Sequence, residues 1–464
     1  MSQAATNSEC PHCAALQVEN ANLKARLAKL EKNSTNSSKP PSSDFVNPAA
    51  AAKKNRKKRR RPGGQPGHPK HERTAFPETE LDRAWDYVYE RCPDCDGQVT
   101  VLDQPGSVVQ QIEIAPQPIR VSEHRGRACY CAHCRKTFVA PVPPAVRKAG
   151  LVGSRLTALV AYLKGACHCS FTTIRKFLRD VLGVTISRGQ LRRVCAKVTQ
   201  SLDASYEELL AALPREAVLN VDETGHPENG QRLWTWCFRA RLFTLFKIDP
   251  SRGSDVLLET LGTEFNGVLG CDYFSAYRKY MRLNENVVVQ FCLAHLIRDV
   301  KFLTEHPDAK NRSYGRRLQE ALRKLFGILH RRAKYVSEET FSAALGRQAA
   351  EVLRQALSRV PATREAAALA RRFDQHGFEY LQFVMTPGIE PTNNLAEQAL
   401  RFVVIDRHIT QGSRSAAGRR WLERIWTTIA TCAQHGKSVF AFLTESVQAC
   451  LSGTPPPTLL FPPT

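Results

Sequence analysis

Apolar residues recur with a helical period in two parts of the chain and with a strand-like period between them. From residue 151 to 212 the apolar positions follow the spacing of amphipathic helices. Beyond residue 215 the pattern changes to short apolar runs rich in β-branched and aromatic residues, which predict strands. Residues 305–385 are again amphipathic with a helical period. The pattern predicts a multidomain α/β protein.

The predicted strands follow a definite order. The runs "AVLNVDE", "RLWTWCF" and "LFTLFKI" lie close together and are expected to be neighbouring antiparallel strands. A helix-like stretch separates them from "GVLGCDYFSAY", and "NVVVQFCLAH" adds one more strand and a helix. Three antiparallel strands followed by alternating helix and strand is the order of a ribonuclease-H-like mixed sheet. Residues 305–385 would then be a large helical insertion in the domain that contains this sheet.

Two of the predicted strands end on an acid. The run "VLNVDETG" is expected to stop at Asp222, and "GVLGCDYF" at Asp272. A single acid at a strand end is most often a cap or one half of a surface ion pair. Two acids at the ends of two strands of one sheet can instead converge. Glu223 follows Asp222 directly and is expected, by strand alternation, to point to the opposite face.

A third acid lies in "GIEPTNNLAEQALRF", which predicts a new helix. Thr392 and Asn393 are suitable residues for its N-cap. Three apolar residues share the spacing i, i+4, i+7 and are expected to pack inward: Leu395, Ala399 and Phe402.

Glu397 lies on another face of this helix, four residues before Arg401. It can form an ordinary surface ion pair with Arg401, or it can lie beside Asp222 and Asp272. Three converging carboxylates repel unless a cation neutralises them, and oxygen ligands favour magnesium or manganese. Two such ions, roughly 3.5 to 4 Å apart, would activate water or a 3′-hydroxyl for phosphodiester exchange.

A helical hairpin is predicted within "FTTIRKFLRDVLGVTISRGQLRRVCAKV". Gly183 marks the turn, and Ser187 is the expected N-cap of the second helix. That helix carries side chains able to reach DNA phosphates and base edges: Arg188, Gln190, Arg192 and Arg193. The pattern is that of a helix-turn-helix DNA-binding domain, although any helical hairpin gives a similar one.

Two CxxC pairs suggest a structural zinc site. Cys92 and Cys95 form "CPDC", and Cys131 and Cys134 form "CAHC". Two such turns can supply four thiolates in a tetrahedral arrangement, and the strand-like runs between them fit a zinc ribbon. The 35 residues between the pairs exceed the usual spacing of roughly 15 to 20.

Other readings of these cysteines stay open. Cys129 and His133 are competing zinc ligands, and the cysteines can also be free thiols. The earlier "CPHC", with Cys10 and Cys13, has no second pair nearby and receives no role.

The N-terminal segment, residues 14–32, reads as a short helix with leucines spaced by seven. In a heptad assignment the d positions are Leu16, Leu23 and Leu30, and the a positions are Asn20 and Leu27. An asparagine at a fixes register and dimeric state in coiled coils. The segment is either a dimerising helix or a lone surface helix.

A flexible linker with a strongly basic run is predicted between this helix and the cysteines. "NSTNSSKPPSSD" is too polar to bury a core, and "RPGGQPGH" is a Gly/Pro loop. The basic residues between them can grip phosphates or be merely solvated. They are Lys53, Lys54, Arg56, Lys57, Lys58, Arg59, Arg60 and Arg61.

Composition supports a nucleic-acid partner. The 464 residues suggest roughly three domains, and the net charge is +22. The basic run supplies +8 of that charge, so +14 is distributed over the remaining chain. Such an excess indicates a polyanion, with a merely basic surface as the alternative.

The location expected from the sequence is cytoplasmic. No run approaches the roughly 18 apolar residues of a membrane span, and "MSQAATNSEC" lacks the features of a signal peptide. In that compartment the 15 cysteines are expected to be thiols or metal ligands rather than disulfides.

From about residue 16 to 445 the chain resembles bacterial transposases of the insertion-sequence-66 family. "NSTNSSKPPSSD" with "RPGGQPGH", the two CxxC pairs, "VDET", "GCDYFSAY", "CLAH" and "NNLAEQALR" occur in the family's order. Gln398 departs from the family's usual "AER", and "HITQGSRS" after Arg407 departs from its usual form. Because of these departures, the DNA contacts near Glu397 are expected to differ from those of the family, whereas the acids themselves match. His295 of "CLAH" falls in a family motif without an assigned role.

The resemblance implies a ribonuclease-H-like Asp-Asp-Glu transposase. Asp222, Asp272 and Glu397 match the catalytic acids, which would bind Mg²⁺ or Mn²⁺, and the CxxC pairs match a zinc finger. The implied partners are the element's terminal inverted repeats, target DNA, a second copy of the chain or a higher oligomer, and accessory proteins of the element. Arg401 would contact DNA near Glu397, and the protein would lie on the nucleoid when bound.

Two alternatives remain. One is a non-catalytic DNA-binding protein with a zinc ribbon and a helix-turn-helix, or an inactive transposase remnant. The other is a nuclease of the ribonuclease H class, which cuts DNA but does not join it.

These patterns divide the chain into eight predicted segments. They are an N-terminal helix (1–32), a linker (33–75), a zinc ribbon (76–146), a helix-turn-helix-like domain (147–212), a first part of the catalytic core (213–304), a helical insertion (305–385), a second part of the core (386–450) and a tail (451–464).

Overall fold

A computed structural model describes residues 11–30, 75–101, 108–114 and 118–462. The chain separates into two compact units, Lys53–Glu123 and a larger one of Met1–Ala52 with His124–Thr464. The predicted basic arm and most of the predicted linker lie outside the described residues.

The smaller unit has little regular structure where it is described. A single 3₁₀ turn covers Glu78–Glu80, and a bridge joins Arg91 to Gln98 around the CPDC turn. The Gln110 side chain accepts from the Phe76 N–H at 2.7 Å and donates to the Phe76 carbonyl oxygen at 2.9 Å.

The first described element of the larger unit is helix α1, Pro11–Leu30. The side chains of Leu16, Leu23 and Leu27 on this helix are 52%, 54% and 57% exposed. An exposed leucine row is what a dimerising helix requires, and the coiled coil stays a prediction. Among the described helices, none combines the length and the apolar character needed to cross a membrane.

A short antiparallel hairpin, β1 (Ala128–Cys131) and β2 (Lys136–Val139), precedes a helical module. The helices of that module are α2 (Pro144–Ala149), α3 (Ser154–Gly165), α4 (Phe171–Leu182) and α5 (Arg188–Ala212). Seven buried residues give it a small core of its own: Val152, Val160, Ile174, Leu178, Ile186, Leu191 and Val194.

The predicted helical hairpin is formed by α4 and α5. Gly183 ends α4 with a left-handed φ of 65°, a conformation that costs glycine little. The Ser187 hydroxyl accepts the Gln190 N–H and caps α5. Both local predictions are confirmed, whereas DNA binding by the hairpin stays a prediction.

A five-stranded mixed sheet forms the centre of the larger unit. Its strands are β3 (Val218–Glu228), β4 (Gln231–Arg239), β5 (Thr244–Asp249), β6 (Val268–Cys271) and β7 (Val288–Phe291). Their order is β5-β4-β3-β6-β7, with β3, β4 and β5 antiparallel and with β6 and β7 parallel to β3. Two helices connect the strands, α6 (Ser254–Leu261) and α7 (Ser275–Leu283), and α8 (Leu293–Thr304) follows β7. The mixed α/β class predicted from the pattern is confirmed.

Six further helices follow. Three occupy the stretch predicted as an insertion: α9 (Ala309–Leu329), α10 (Glu338–Leu357) and α11 (Arg364–Met385). The last three are α12 (Asn394–Thr410), α13 (Ala416–Gln434) and α14 (Val439–Ser452).

The prediction that β3 stops at Asp222 is wrong, because the strand continues to Glu228. Asn229 and Gly230 both have positive φ and make a tight turn into β4. The segment after α12 also supports the extension: the Ser413 N–H donates to the Pro227 carbonyl at 3.1 Å.

The buried residues of α12 each lie one position after the residues predicted to pack inward. Leu395 is 39% exposed, while Ala396, Leu400 and Val403 are buried. Ala396 is the smaller residue and allows the helix to approach the sheet closely, and the buried Asp406 continues the same face.

Candidate active site

The sheet register brings Asp222 and Asp272 to neighbouring positions. Asn220 of β3 is paired with Gly270 of the parallel strand β6, and each acid follows its residue of this pair by two. Both acids are only partly buried. A Cβ atom on Gly270 would lie 2.5 Å from the Asn220 side-chain nitrogen, so a larger residue there would displace the Asn220 side chain.

Helix α12 is fixed against β3, next to Asp222, by Asn393. The Asn393 amide donates to the Val221 carbonyl at 2.8 Å and accepts from the Asn220 amide at 3.1 Å. Its backbone N–H donates to Cys292 Sγ at 3.1 Å. Asn393 occupies the predicted N-cap position, but its side chain binds the strand instead of capping the helix. Glu397, one turn further, is thereby held close enough to Asp222 for its charge to raise the pKa of that acid.

We expect Asn393→Ala to lower the free energy of unfolding by about 2 to 3 kcal/mol, because buried polar groups of β3 lose their partners. Urea denaturation measures the change. Asn394→Ala is the matched control, since Asn394 is exposed. Equal destabilisation by both variants would contradict the assigned role of Asn393.

The charges of all three acids interact. Burial raises the pKa of Asp222 well above its usual value, and the charges of Glu223, Asp272 and Glu397 raise it further. Burial and the charge of Glu223 raise the pKa of Asp272 to about 7, against the Phe274 N–H and two arginines that lower it. The three predicted acids therefore lie within electrostatic range of one another.

Glu397 pairs with residues of α8 and not with Arg401. Its Oε1 lies 3.3 Å from Arg298 Nη2 and 3.5 Å from His295 Nδ1. Burial and the charges of Arg298 and Arg372 lower the pKa of His295 to about 4, so the imidazole is neutral at pH 7. Arg298 is therefore the cation that balances Glu397. Arg401 is exposed on the same helix.

A second group of ligand-type side chains overlaps the site. The ligand atoms of Cys292, His295 and Glu397 all lie within 4.8 Å of one another, and in the described part of the chain this is the one such group of three. Cys292 Sγ already accepts backbone N–H groups, and burial raises the pKa of its thiol. The acids Asp222, Asp272 and Glu397 are thus spaced more widely than the ligands of a single ion.

Glu223 contributes to the site's electrostatics although its side chain is directed elsewhere. Its carboxylate is 1% exposed and contacts Arg252 and the Tyr277 hydroxyl, both outside the acid trio. Strand alternation gave Glu223 no part in the site, yet its charge raises the pKa of both Asp222 and Asp272.

The predicted DNA-binding arginines that are described are all exposed. Arg192 and Arg193 extend from the first turns of α5, and Arg188 donates to the Thr172 hydroxyl at 2.8 Å. The basic residues from Lys53 to Arg61 lie outside the described part of the chain.

The two CxxC turns have the same local form, each within its own unit. A residue with left-handed φ follows each second cysteine, namely Asp96 (62°) and Arg135 (53°). Backbone N–H groups of Asp94 and Cys95 lower the pKa of the Cys92 thiol, and those of Cys134 and His133 lower the pKa of Cys131. Both turns therefore favour the thiolate that zinc requires.

Comparison with known families gives two matches. The model of the family described as "Transposase IS66 family" matches residues 149–420. The model described as "Family of unknown function (DUF6444)" matches residues 5–74. Among curated proteins, none matches the chain. The first match spans more than half of the chain and includes Asp222, Asp272 and Glu397.

Proposed function

The chain belongs to the transposase IS66 family. On this basis we propose that it cuts DNA at the ends of its mobile element and joins the freed 3′-hydroxyl to target DNA. The observation that carries the proposal is the joint placement of three acids. Asp222 and Asp272 follow paired residues of two parallel strands, and Asn393 fixes the helix of Glu397 beside them. The strand order β5-β4-β3-β6-β7 supports a ribonuclease-H-like catalytic core.

Asp222, Asp272 and Glu397 are the residues that would hold magnesium or manganese. Their donor atoms are all carboxylate oxygens, which these ions prefer. Burial and the charges of neighbouring acids raise the pKa of Asp222, so a cation bound there would relieve repulsion already present in the protein. When bound, divalent cations activate water or a 3′-hydroxyl and stabilise the leaving oxygen of a phosphodiester.

The protein's own residues hold the three acids in position and balance part of their negative charge. The sheet supplies Asp222 and Asp272 from rigid backbone, and α12 supplies Glu397 from a helix anchored at its first turn. Arg298 balances the Glu397 charge, while the neutral His295 contacts the same oxygen. The site thus tolerates three acids at one edge of the sheet.

DNA binding is proposed to come from the basic surface. The exposed Arg188, Arg192 and Arg193 would contact phosphates and bases, with Arg401 nearer to Glu397. Each neutralised phosphate releases counterions, so affinity should fall steeply with salt. A second copy joined through α1, and accessory proteins of the element, complete the proposed assembly.

The zinc ribbon is proposed from the sequence and the local form of the CxxC turns. The purified protein is expected to contain about one zinc per chain, and Cys131→Ser is expected to lose it. Metal analysis by atomic emission measures this content. Cys129→Ser is the matched control: zinc loss in that variant would assign the ligand set differently.

The test of the proposed function is a cleavage and joining assay with the element's own end DNA, with and without magnesium. A transposase cuts the end and transfers it to target DNA only with the metal. Cutting without joining would identify a nuclease, and binding without cutting would identify an inactive remnant or a DNA-binding protein.

A further inference from the structure

Arg252, which follows β5, has a guanidinium group with a fixed orientation. Its Nε donates to Glu223 Oε1 at 2.8 Å, and its Nη2 lies 2.7 Å from the same oxygen. Its Cζ lies 4.5 Å from the centroid of the Trp234 ring and 3.9 Å from that of Phe274. One carboxylate and two aromatic rings therefore hold this guanidinium in place.

Both carboxylate oxygens of Glu223 have partners in this arrangement. Oε1 is taken by Arg252, and Oε2 accepts from the Tyr277 hydroxyl at 2.5 Å. With both oxygens occupied and 1% of its side chain exposed, Glu223 is unsuited to bind a metal ion. Apolar residues often stabilise a buried position as well as an ion pair does. A charged pair next to two further acids therefore suggests a function beyond stability.

The guanidinium also has a binding edge directed away from Glu223. Among the residues that the structure describes, none accepts a hydrogen bond from Arg252 Nη1, and 34% of the side chain is exposed. Arg252 is close enough to Asp272 for its charge to lower the pKa of that acid. Phe274, which stacks on it, is two residues from Asp272.

We propose that Arg252 binds the phosphate at which the DNA end is cut, and that Glu223 is the residue that positions it. This inference rests on the proposed function, because it assigns a DNA contact to that active site. A fixed guanidinium with free N–H groups is suited to a phosphate oxygen. Fixing it in advance lowers the entropic cost of binding.

The test is a double-mutant cycle between the protein and one phosphate. The probe is a duplex of the element's own end in which the scissile phosphate is a neutral methylphosphonate. Affinity is measured without added magnesium or manganese, so no cleavage occurs and the proposed structural zinc is left in place. Wild-type protein should bind this duplex about tenfold more weakly than natural DNA. Arg252→Gln should bind natural DNA about tenfold more weakly than wild type does. Its affinity should be the same for natural DNA and for the methylphosphonate duplex.

Two controls separate this contact from general charge loss. Arg232 carries the same charge, stacks on the same Trp234 ring at 4.7 Å and is exposed. Arg232→Gln should remain as sensitive to the methylphosphonate as wild type. A methylphosphonate placed far from the cleavage position should affect wild type and Arg252→Gln equally.

The positioning role of Glu223 has its own readout. Glu223→Ala should reduce the sensitivity to the methylphosphonate, whereas Glu223→Gln, which keeps an acceptor for Arg252, should restore most of it. Arg252→Lys keeps the charge but not the planar fork, and an intermediate sensitivity is expected. Arg252→Lys also replaces Arg252→Gln in the main test if Arg252→Gln does not fold.

The outcomes distinguish this inference from the proposed function. If Arg252→Gln is as sensitive to the methylphosphonate as wild type, Arg252 does not bind that phosphate, even if the enzyme cuts and joins DNA normally. If wild type neither cuts nor joins DNA in magnesium, the proposed function fails, and the inference about the scissile phosphate fails with it.

Discussion

Asp222→Asn should reduce metal-dependent cleavage of the element's end by about 10³-fold or more, because a neutral amide oxygen binds a divalent cation much more weakly than a carboxylate does. The same variant should melt at a higher temperature than wild type at neutral pH in buffer without added divalent cations. Burial and three neighbouring acids raise the pKa of Asp222, so the ionised carboxylate is unfavourable in the folded protein. Cleavage assays and thermal denaturation measure the two effects.

The sign of the stability effect follows from proton linkage. The pKa of Asp222 is raised in the folded state above its usual value of 3.8. The stability associated with protonated Asp222 is therefore complete below that value and is lost as pH rises through the folded pKa. Asparagine cannot lose a proton, so its advantage over wild type should grow as pH increases above about 4.

Magnesium should stabilise wild type against heat but should have little effect on Asp222→Asn. Asp374→Asn is the matched control, because Asp374 is exposed on α11 and should leave cleavage and magnesium response unchanged. Full cleavage by a folded Asp222→Asn protein would refute the metal-binding role. Equal stabilisation of both proteins by magnesium would do so independently of activity.

The sheet and the two strand acids could be predicted because their signals are local. Short β-branched runs define the strands, and the acid directly after such a run marks the end of β6 at Asp272, although it does not mark the end of β3. The extension of β3 past Asp222 also had a local signal, the Asn229-Gly230 pair of a hairpin turn. The apolar run ends at Asp222, but pairing with β4 and with Ser413 continues the strand through polar residues.

The partners of the acids could not be predicted, since they depend on distant contacts. Glu397 had a plausible partner four residues away in Arg401, yet the fold supplies Arg298 from α8. The inward face of α12 was displaced because Asn393, which looks like a helix cap, binds β3 and thereby sets the rotation of the helix. Arg252 and Glu223 are 29 residues apart, and only the folded sheet brings them together.

Asp406→Ala should lower the free energy of unfolding by about 3 kcal/mol, because it leaves buried donors without an acceptor. Asp406 is 2% exposed on α12. Its Oδ1 lies 2.8 Å from His168 Nδ1, and its Oδ2 accepts from Trp426 Nε1 at 3.0 Å. His168 belongs to the loop between α3 and α4. This carboxylate therefore joins the helix of Glu397 to the predicted DNA-binding module, and urea denaturation measures its contribution.

Two further variants separate this joint from a general effect of mutating α12. Asp406→Asn keeps one acceptor oxygen and should lose about half as much stability as Asp406→Ala. His408→Ala changes an exposed residue of the same helix and should be nearly neutral. In a double-mutant cycle, His168→Ala should cost less in the Asp406→Ala background than in wild type. Additive costs would show that His168 and Asp406 do not stabilise each other, and that α12 is not joined to the helical module through this pair.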